Sequence, residues 1–394
     1  MLSTIDFANK SVVLRTDYNV PIRKDDGVIR STKRIDSSLA TINLILRAEP
    51  RKLIIISHLG RPSKKDCLEN NLSLAPVRDY LETILNKPVC FRTLEQELDK
   101  NSRVEDNENR ASIVLLENIR YYREETENII STTSFRKKLT SLGDVFVNDA
   151  FGCCHRSHSS IVGIDTPEKC HGLLIEKEVA NLQDVFSKSG NKTVILGGSK
   201  VSDKIGLINN LIPKVDQILI GGGMAFTFWK FFGYPIGDSL LDREGLEKIK
   251  KILDLAVKNN TVIYLPVDVV CNKTFSNQGE QLVCHKEEGV REGYMGLDIG
   301  PETREEFSQV VRGSDIVIWN GPLGVFEFEN FSKGSLEVMN SVAGNKGVKI
   351  IGGGDTASCC EQFGLTDRMT HISTGGGASL ELLEGKRLPG LRLH

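Results

Sequence analysis

KIIGGGDTASCC, residues 349–360, sets a β-branched apolar run directly against three glycines, after which an Asp and a Thr open a helical stretch. The same transition recurs in VILGGSKVSDK (194–204), ILIGGGMAFTF (218–228) and HISTGGGASLE (371–381). A strand that ends in bare backbone and hands over at once to a helix is a unit of parallel α/β architecture. Glycine lets the chain turn sharply and lets backbone N–H groups approach a phosphate, and the helix behind adds its positive dipole end. Each glycine costs about 0.5–1 kcal/mol of backbone entropy, so four such loops in one half of a chain point to phosphate binding rather than to turning alone. No G-x-x-x-x-G-K-[ST] and no G-x-G-x-x-G is present, which excludes the P-loop and dinucleotide fingerprints.

Short apolar runs extend this pattern along the chain: SVVLRTDYN, KLIIISHLG, SIVLLENIR, DVFVNDAFG, TVILGG, QILIGGG, TVIYLPVD and DIVIWNGP. They are continuous rather than alternating, as expected of strands buried on both faces. Helix-period stretches lie between them, including SSLATINLILRA, LAPVRDYLETIL and REGLEKIKKILDLAVKN. The 394 residues are too many for one core and predict two α/β domains. Ile175, Val179, Leu182 and Phe186 recur at helical spacing and predict a joining helix closed by Ser189-Gly190-Asn191. The polar stretch KNSRVEDNENR reads as a surface loop.

With 40% hydrophobic and 26% charged residues and a net charge of −2, the composition is that of a soluble globular protein. The near-neutral balance gives no footprint for nucleic acid or an acidic membrane. No apolar run reaches the roughly 18 residues that span a bilayer. Acidic and polar residues stand at the N-terminus where a secretory signal needs a basic and then an apolar stretch, so a cytoplasmic protein is expected. Nine cysteines include the adjacent pairs Cys153-Cys154 and Cys359-Cys360 but no C-x-x-C; they read as reduced packing residues, with oxidation at Cys153-Cys154 left open.

Ligands of open parallel sheets sit beyond the carboxyl ends of the strands, and there the two halves differ. The first half carries Arg15 and Asn19 in RTDYN, His58 and Arg61 in SHLGRP, Arg120 in ENIR, and His155 and Arg156 in AFGCCHRSHSS, with Arg34 nearby in TKRID. The second half carries glycines. One half is thus suited to a compact anion held by guanidinium groups, the other to phosphates lying on backbone. Lys200 and Lys204 are four apart and are expected on one side of the helix after Gly197-Gly198, at its positive end, where an anionic ligand explains them. Asp355 has two readings, a helix cap or a ligand for a hard cation such as Mg²⁺. Glu327 is a candidate acceptor for ribose hydroxyls.

RTDYNVP, SHLGRP, LLENIRYY, NDAFGCCHRSHSS, GGSKVSDKI, GGGMAFTF, GLDIGPET, WNGPLGVFEF, GGGDTA and STGGGASLELLEGKRLPG, in that order and across nearly the whole chain, closely resemble the phosphoglycerate kinase family. The resemblance implies two Rossmann-like three-layer domains with parallel sheets facing across a cleft. It divides the chain into a phosphoglycerate-binding domain (1–170 with 381–394), an interdomain helix (171–188) and a nucleotide-binding domain (189–380). It implies reversible phosphoryl transfer between ATP and 3-phosphoglycerate in glycolysis, with Mg²⁺, in a hinge-bending monomer. Asp17, Asn19, Arg34, His58, Arg61, Arg120 and Arg156 match the family's phosphoglycerate positions, with Arg15 in the same motif. Lys200, Lys204, Gly222, Gly223, Asn320, Glu327, Gly352, Gly353, Gly354, Asp355 and Thr356 match nucleotide positions, with Asp355 on the metal. Arg34, Lys200 and Gly376 are implied at the reacting group. Ser199, Cys153-Cys154 and Leu323 depart from the common Ala, Thr-Ala and Pro without removing a charge.

The nucleophile is then a substrate carboxylate, already ionised at neutral pH, and no base is needed. Catalysis is expected to rest on positioning and charge neutralisation. Two rival functions are a kinase of another small carboxylic acid, such as acetate, and a non-catalytic nucleotide-binding regulator.

Overall fold

The computed structural model describes residues 2–23, 27–62, 72–99, 112–127 and 132–392. The chain divides into two compact units, Met1–Ala180 with Arg387–His394, and Asn181–Lys386. The first is built on β1 (Ser11–Arg15), β2 (Lys52–Ile56), β3 (Val89–Arg92), β4 (Ser112–Leu116), β5 (Val145–Asn148) and β6 (Glu168–His171). Among the described residues these six form one sheet in the order β3-β4-β2-β1-β5-β6. All its pairings are parallel. Successive side chains of a strand point to opposite faces, and both faces here are core. Leu14, Ile55 and Val147 enter one cluster, while Val13, Ile54 and Phe146 enter the other. That is why SVVLR and KLIII are apolar without alternation.

The second unit contains β7 (Lys192–Leu196), β8 (Gln217–Ile220), β9 (Val262–Tyr264), β10 (Asp268–Asn272), β11 (Leu282–His285), β12 (Met295–Ile299), β13 (Ile316–Asn320), β14 (Val348–Gly352) and β15 (His371–Ile372). Six of these make a second sheet, in the order β15-β14-β13-β7-β8-β9, again parallel throughout. The remaining three form a small antiparallel sheet, β11-β10-β12. The run TVIYLPVD is therefore not one strand: β9 stops before Leu265-Pro266, and Asp268 opens β10 in the other sheet. Proline lacks the N–H that a continuing ladder would need.

The helical stretches form as their periodicity predicts, over Leu39–Arg47, Ala75–Leu85 and Arg243–Lys258. The boundary helix is shorter than expected. It runs over Leu173–Leu182, and after Gln183, at φ −113 and ψ −53, a 3₁₀ turn covers Asp184–Ser187. Near the end of the chain Gly390 enters the first unit. Its N–H donates to the Cys154 carbonyl at 2.8 Å, and its own carbonyl accepts from Asn148 Nδ2 at 2.9 Å. The reading of KNSRVEDNENR as a surface loop lies outside the described residues. No helix among the described residues is long and apolar enough to cross a membrane.

Candidate functional site

Register aligns the ends of the central strands in each unit. In the first, Arg15 pairs with both Ile56 and Asn148, so the loops after β1, β2 and β5 start level with one another. Two fully buried polar side chains then fasten the loops after β1, β2 and β4. Ser57 Oγ donates to the Thr16 carbonyl at 2.9 Å and accepts from the Tyr18 N–H at 2.8 Å. Asn118 Oδ1 accepts from the Leu59 N–H at 3.2 Å and the Arg120 N–H at 3.1 Å, while its Nδ2 donates to the Leu59 and Leu72 carbonyls.

This framework brings most of the expected basic residues together. Arg34 Nη1 donates to Asp17 Oδ2 at 2.7 Å, and Asp17 Oδ1 lies 3.9 Å from His58 Nε2. Asn19 Oδ1 accepts from the Gly60 N–H at 2.8 Å, and Arg120 Nη1 donates to the Gly60 carbonyl at 2.6 Å. Arg61 follows on the same loop and is exposed; Arg156 is half-buried. Arg15 has a different place. It is completely buried, with Nε on Ser160 Oγ at 2.7 Å and Nη2 3.7 Å from the equally buried Glu125. It supports the cluster from beneath and presents no atom to a ligand.

His58 is held well below its ordinary pKa by burial and by Arg15, Arg120 and Arg34. Its neutral ring turns Nδ1 toward Arg15 Nη2, 3.5 Å away. A guanidinium only donates, so Nδ1 is the acceptor and the proton sits on Nε2. His158, beside Arg120, Arg15 and Arg156, is brought down to about 4 by its own burial first and by those cations second. Asp17, His58 and Cys153 bring ligand-type atoms within 4.8 Å of one another. With Asp17 paired to Arg34 and three arginines pressing on His58, these surroundings favour an anion over a metal ion. Cys153 and Cys154 are buried, and desolvation pushes the Cys153 thiol up to about 12 and the Cys154 thiol well above the ordinary range.

In the second unit Asn320 pairs with both Leu196 and Gly352, again levelling the strand ends. Here the glycine loops pack on one another before they meet any ligand. A Cβ on Gly197 would lie 1.9 Å from the Pro322 carbonyl oxygen. The loops exchange backbone bonds, Gly198 N–H to Pro322 O, Gly222 N–H to Leu323 O and Met224 N–H to Gly198 O, all at 3.0–3.2 Å. Close backbone packing is thus a reason for glycine at Gly197 that the sequence reading did not give. Gly376 is different. It caps the helix Gly377–Leu383 at φ 54, ψ −115, with nothing within 4 Å of a Cβ built on it.

The lysines do not share a helix face. The chain forms a 3₁₀ turn over Ser202–Lys204 and becomes α-helical over Ile205–Leu211, so Lys200 precedes both and is exposed. Asp242 accepts the Ser202 N–H in this turn at 2.7 Å and caps the helix Arg243–Lys258 through the Gly245 N–H at 3.0 Å. Lys204 Nζ reaches the Asn320 carbonyl at 3.1 Å and also contacts Asn320 Oδ1. Burial brings its ammonium down to about 8, against the opposing pull of Asp355 and Asp203. Asn320 Nδ2 donates to the Gly352 carbonyl at 3.1 Å, and Thr356 Oγ1 accepts from the Gly321 N–H at 2.7 Å. Asn320 and Thr356 therefore hold the loops in place with these atoms.

Helix Gly354–Gln362 begins two residues earlier than Asp355 as a cap would require. Gly353 is its N-cap, so the capping role falls away. Asp355 is exposed in the first turn. Gly222, Gly223 and Glu327 line a cavity of about 400 Å³, together with Leu240, Phe275 and Met295. The sequence reading did not select the last three. Leu240 and Phe275 stand 45% and 64% exposed, an excess of apolar surface legible only once burial is known.

The family model described as phosphoglycerate kinase matches residues 2–386. The chain belongs to the phosphoglycerate kinase family. Phosphoglycerate kinases of Clostridium tetani and Drosophila melanogaster are 44% and 42% identical to it, each over 99% of this chain and 96–97% of the relative. Among solved structures, the phosphoglycerate kinase of Coxiella burnetii is 36% identical and superposes with a TM-score of 0.89 over 99% of this chain and 97% of that one. The Pyrococcus horikoshii phosphoglycerate kinase follows at 30% identity and a TM-score of 0.76 over the same shares.

Proposed function

We infer that this chain transfers a phosphoryl group reversibly between ATP and the carboxylate of 3-phosphoglycerate, forming ADP and 1,3-bisphosphoglycerate in glycolysis. The observation that carries this is the family match over residues 2–386. In this reading Arg34, His58, Arg61, Arg120 and Arg156, with Asp17 and Asn19, hold the phosphoglycerate. Arg34 is aimed by Asp17. His58 offers a neutral Nε2–H, so it acts as a donor to the anion and not as a base. None is needed, because the attacking carboxylate is ionised at neutral pH.

The cavity at Gly222 and Gly223 takes the adenine, Glu327 meets ribose hydroxyls, and Lys200, Lys204 and the Gly352–Thr356 segment take the phosphates. Asn320 contributes by holding Lys204. Asp355 suits Mg²⁺: it is exposed, and its carboxylate makes no hydrogen bond or ion pair among the described residues. This cation is commonly bound by one or two carboxylates together with substrate phosphates. Bound there, Mg²⁺ would neutralise phosphate charge. Arg34, Lys200 and the backbone at Gly376 are assigned to the group in transfer, each supplying positive potential to its oxygens. Each unit holds one substrate, so transfer requires hinge closure, with reacting atoms brought to about 3–3.5 Å. The proposed setting is a cytoplasmic monomer.

A coupled assay of ATP consumption with 3-phosphoglycerate, then with acetate or glycerate, tests the reading. Turnover is expected with 3-phosphoglycerate alone. Equal turnover with acetate would make the chain a kinase of another acid, and nucleotide binding without turnover would make it a regulator. Lys200→Ala is expected to lower turnover about 10²–10⁴-fold; near-normal turnover removes that lysine from the chemistry.

A further inference from the structure

A second hollow, of about 360 Å³, lies in the first unit beside β5 and β6. It shares no lining residue with the cluster around His58. Four cations line it, Arg136, Lys169, Arg387 and Arg392, and no carboxylate does. Gathering like charges around one cavity is unfavourable unless something of opposite sign completes it. Its floor is partly apolar, with Phe146, Ile161 and Ile164.

Arg136 is the informative member. Its Nε donates to Ser159 Oγ at 3.3 Å, yet its Nη2 is shut away from solvent without a partner among the described residues. Its stem is fixed against Gly163, where a Cβ would lie 2.6 Å from Arg136 Cδ. That sealed N–H is out of reach of anything in the hollow, which Arg136 meets with its other atoms. Opposite charge nearby is limited: the buried Glu125 acts on Arg136, and Lys169 pairs with Asp165, outside the lining, whose side chain is 86% exposed.

We propose that this cavity is a second oxyanion site, taking inorganic phosphate or a compact phosphate monoester, and that the anion fastens the C-terminal segment to the first unit. The geometry supports both halves of the statement. Arg387 and Arg392 belong to the returning segment, whereas Arg136 and Lys169 belong to the body of the unit. One tetrahedral anion offers enough acceptors to join the two sets, and a guanidinium matches it in a bidentate manner.

The test follows side-chain Nε signals of arginine by ¹⁵N NMR in the full chain. Inorganic phosphate is titrated in while KCl holds ionic strength constant. Because Glu125 acts on Arg136 and also stands 3.7 Å from Arg15 beneath the substrate cluster, the comparison with Arg392→Gln separates the two sites. A saturable shift is expected, accompanied by a rise in Tm. Arg392→Gln should weaken the phosphate dependence of the Arg136 signal at least about tenfold, a step worth about 1.4 kcal/mol. Turnover should stay within about twofold, since neither residue belongs to the catalytic machinery. The reverse arm reads the Arg392 signal in Arg136→Gln. A shift that never saturates, that follows KCl as well as phosphate, or that persists unchanged in Arg392→Gln would overturn the proposal and leave a solvated basic surface. If Arg136→Gln fails to fold, Arg392→Gln, at an exposed position, decides the matter alone.

Discussion

Nucleotide binding should take up protons, because Lys204 is not fully charged in the free protein. Burial brings its ammonium from 10.5 down to about 8, a displacement worth roughly 3 kcal/mol. At pH 8.5 about three quarters of the free molecules then carry the neutral amine, and at pH 7 about one tenth, by simple titration about that value. Phosphates arriving at Nζ favour the charged form. Binding of Mg·ADP is therefore expected to draw about 0.7 proton at pH 8.5 and about 0.1 at pH 7. The nucleotide itself contributes little there, since its phosphates are already ionised. Calorimetric titrations at both pH values, in two buffers of different ionisation enthalpy, read the proton number from the slope. Lys204→Arg keeps a permanent charge and should bring the uptake at pH 8.5 close to zero. Uptake below about 0.2 in the parent chain, or unchanged uptake in Lys204→Arg, would refute the reasoning. The same displacement acts on stability with a definite sign. The native state binds fewer protons than the unfolded one between about pH 8 and 10.5, so the cost of burying Lys204 fades as pH rises through that window.

Desolvation pushes the Cys153 thiol up to about 12, so alkylation by iodoacetamide at pH 7.5 should run about 10³-fold slower than for an ordinary free thiol such as glutathione, by ionisation alone; labelling followed by mass spectrometry checks it, and equal rates would reopen redox sensitivity at this site. Asp242→Ala strips the acceptor from the Ser202 and Gly245 N–H groups and should cost about 2–4 kcal/mol in urea unfolding, with weaker ADP binding because the turn before Lys204 is released. Asp149 is raised to about 7 by burial, so the native state holds an extra proton between about pH 4 and 7 and loses stability as pH rises through that range; Asp149→Asn should therefore gain on the parent by more at pH 8 than at pH 5, on the order of 2–4 kcal/mol, in urea midpoints measured at both.

The strand ends were the legible part of this molecule. A continuous apolar run followed by Arg, His or Gly marks a carboxyl edge because both faces of the strand are buried and only its end meets solvent. Arg34, His58, Arg120, Gly222 and Glu327 could be chosen on that ground together with the family resemblance. The supports could not. Ser57 binds Thr16 across 41 positions and Asp242 binds Ser202 across 40, and no local pattern announces bonds of that range. Arg15 and Arg34 look alike in sequence, yet one is sealed beneath the cluster and the other stands at its mouth. The helix period misassigned Lys200 and Lys204 because the turn at Ser202–Lys204 is 3₁₀ and the α-helix begins only at Ile205. The antiparallel sheet went unread because its strands are short and are separated by polar turns such as TFSNQGE.

The bonds of Gly390 to Asn148 and Cys154 have a consequence for synthesis on the ribosome. Residues 181–386 form a continuous stretch that can close its own sheet as soon as it emerges. The earlier residues wait longer: the carboxamide of Asn148 and the carbonyl of Cys154 lack their partner until residue 390 has been made. The unit begun earlier is thus closed only after the one inserted within it, and a chain broken before residue 390 leaves it open.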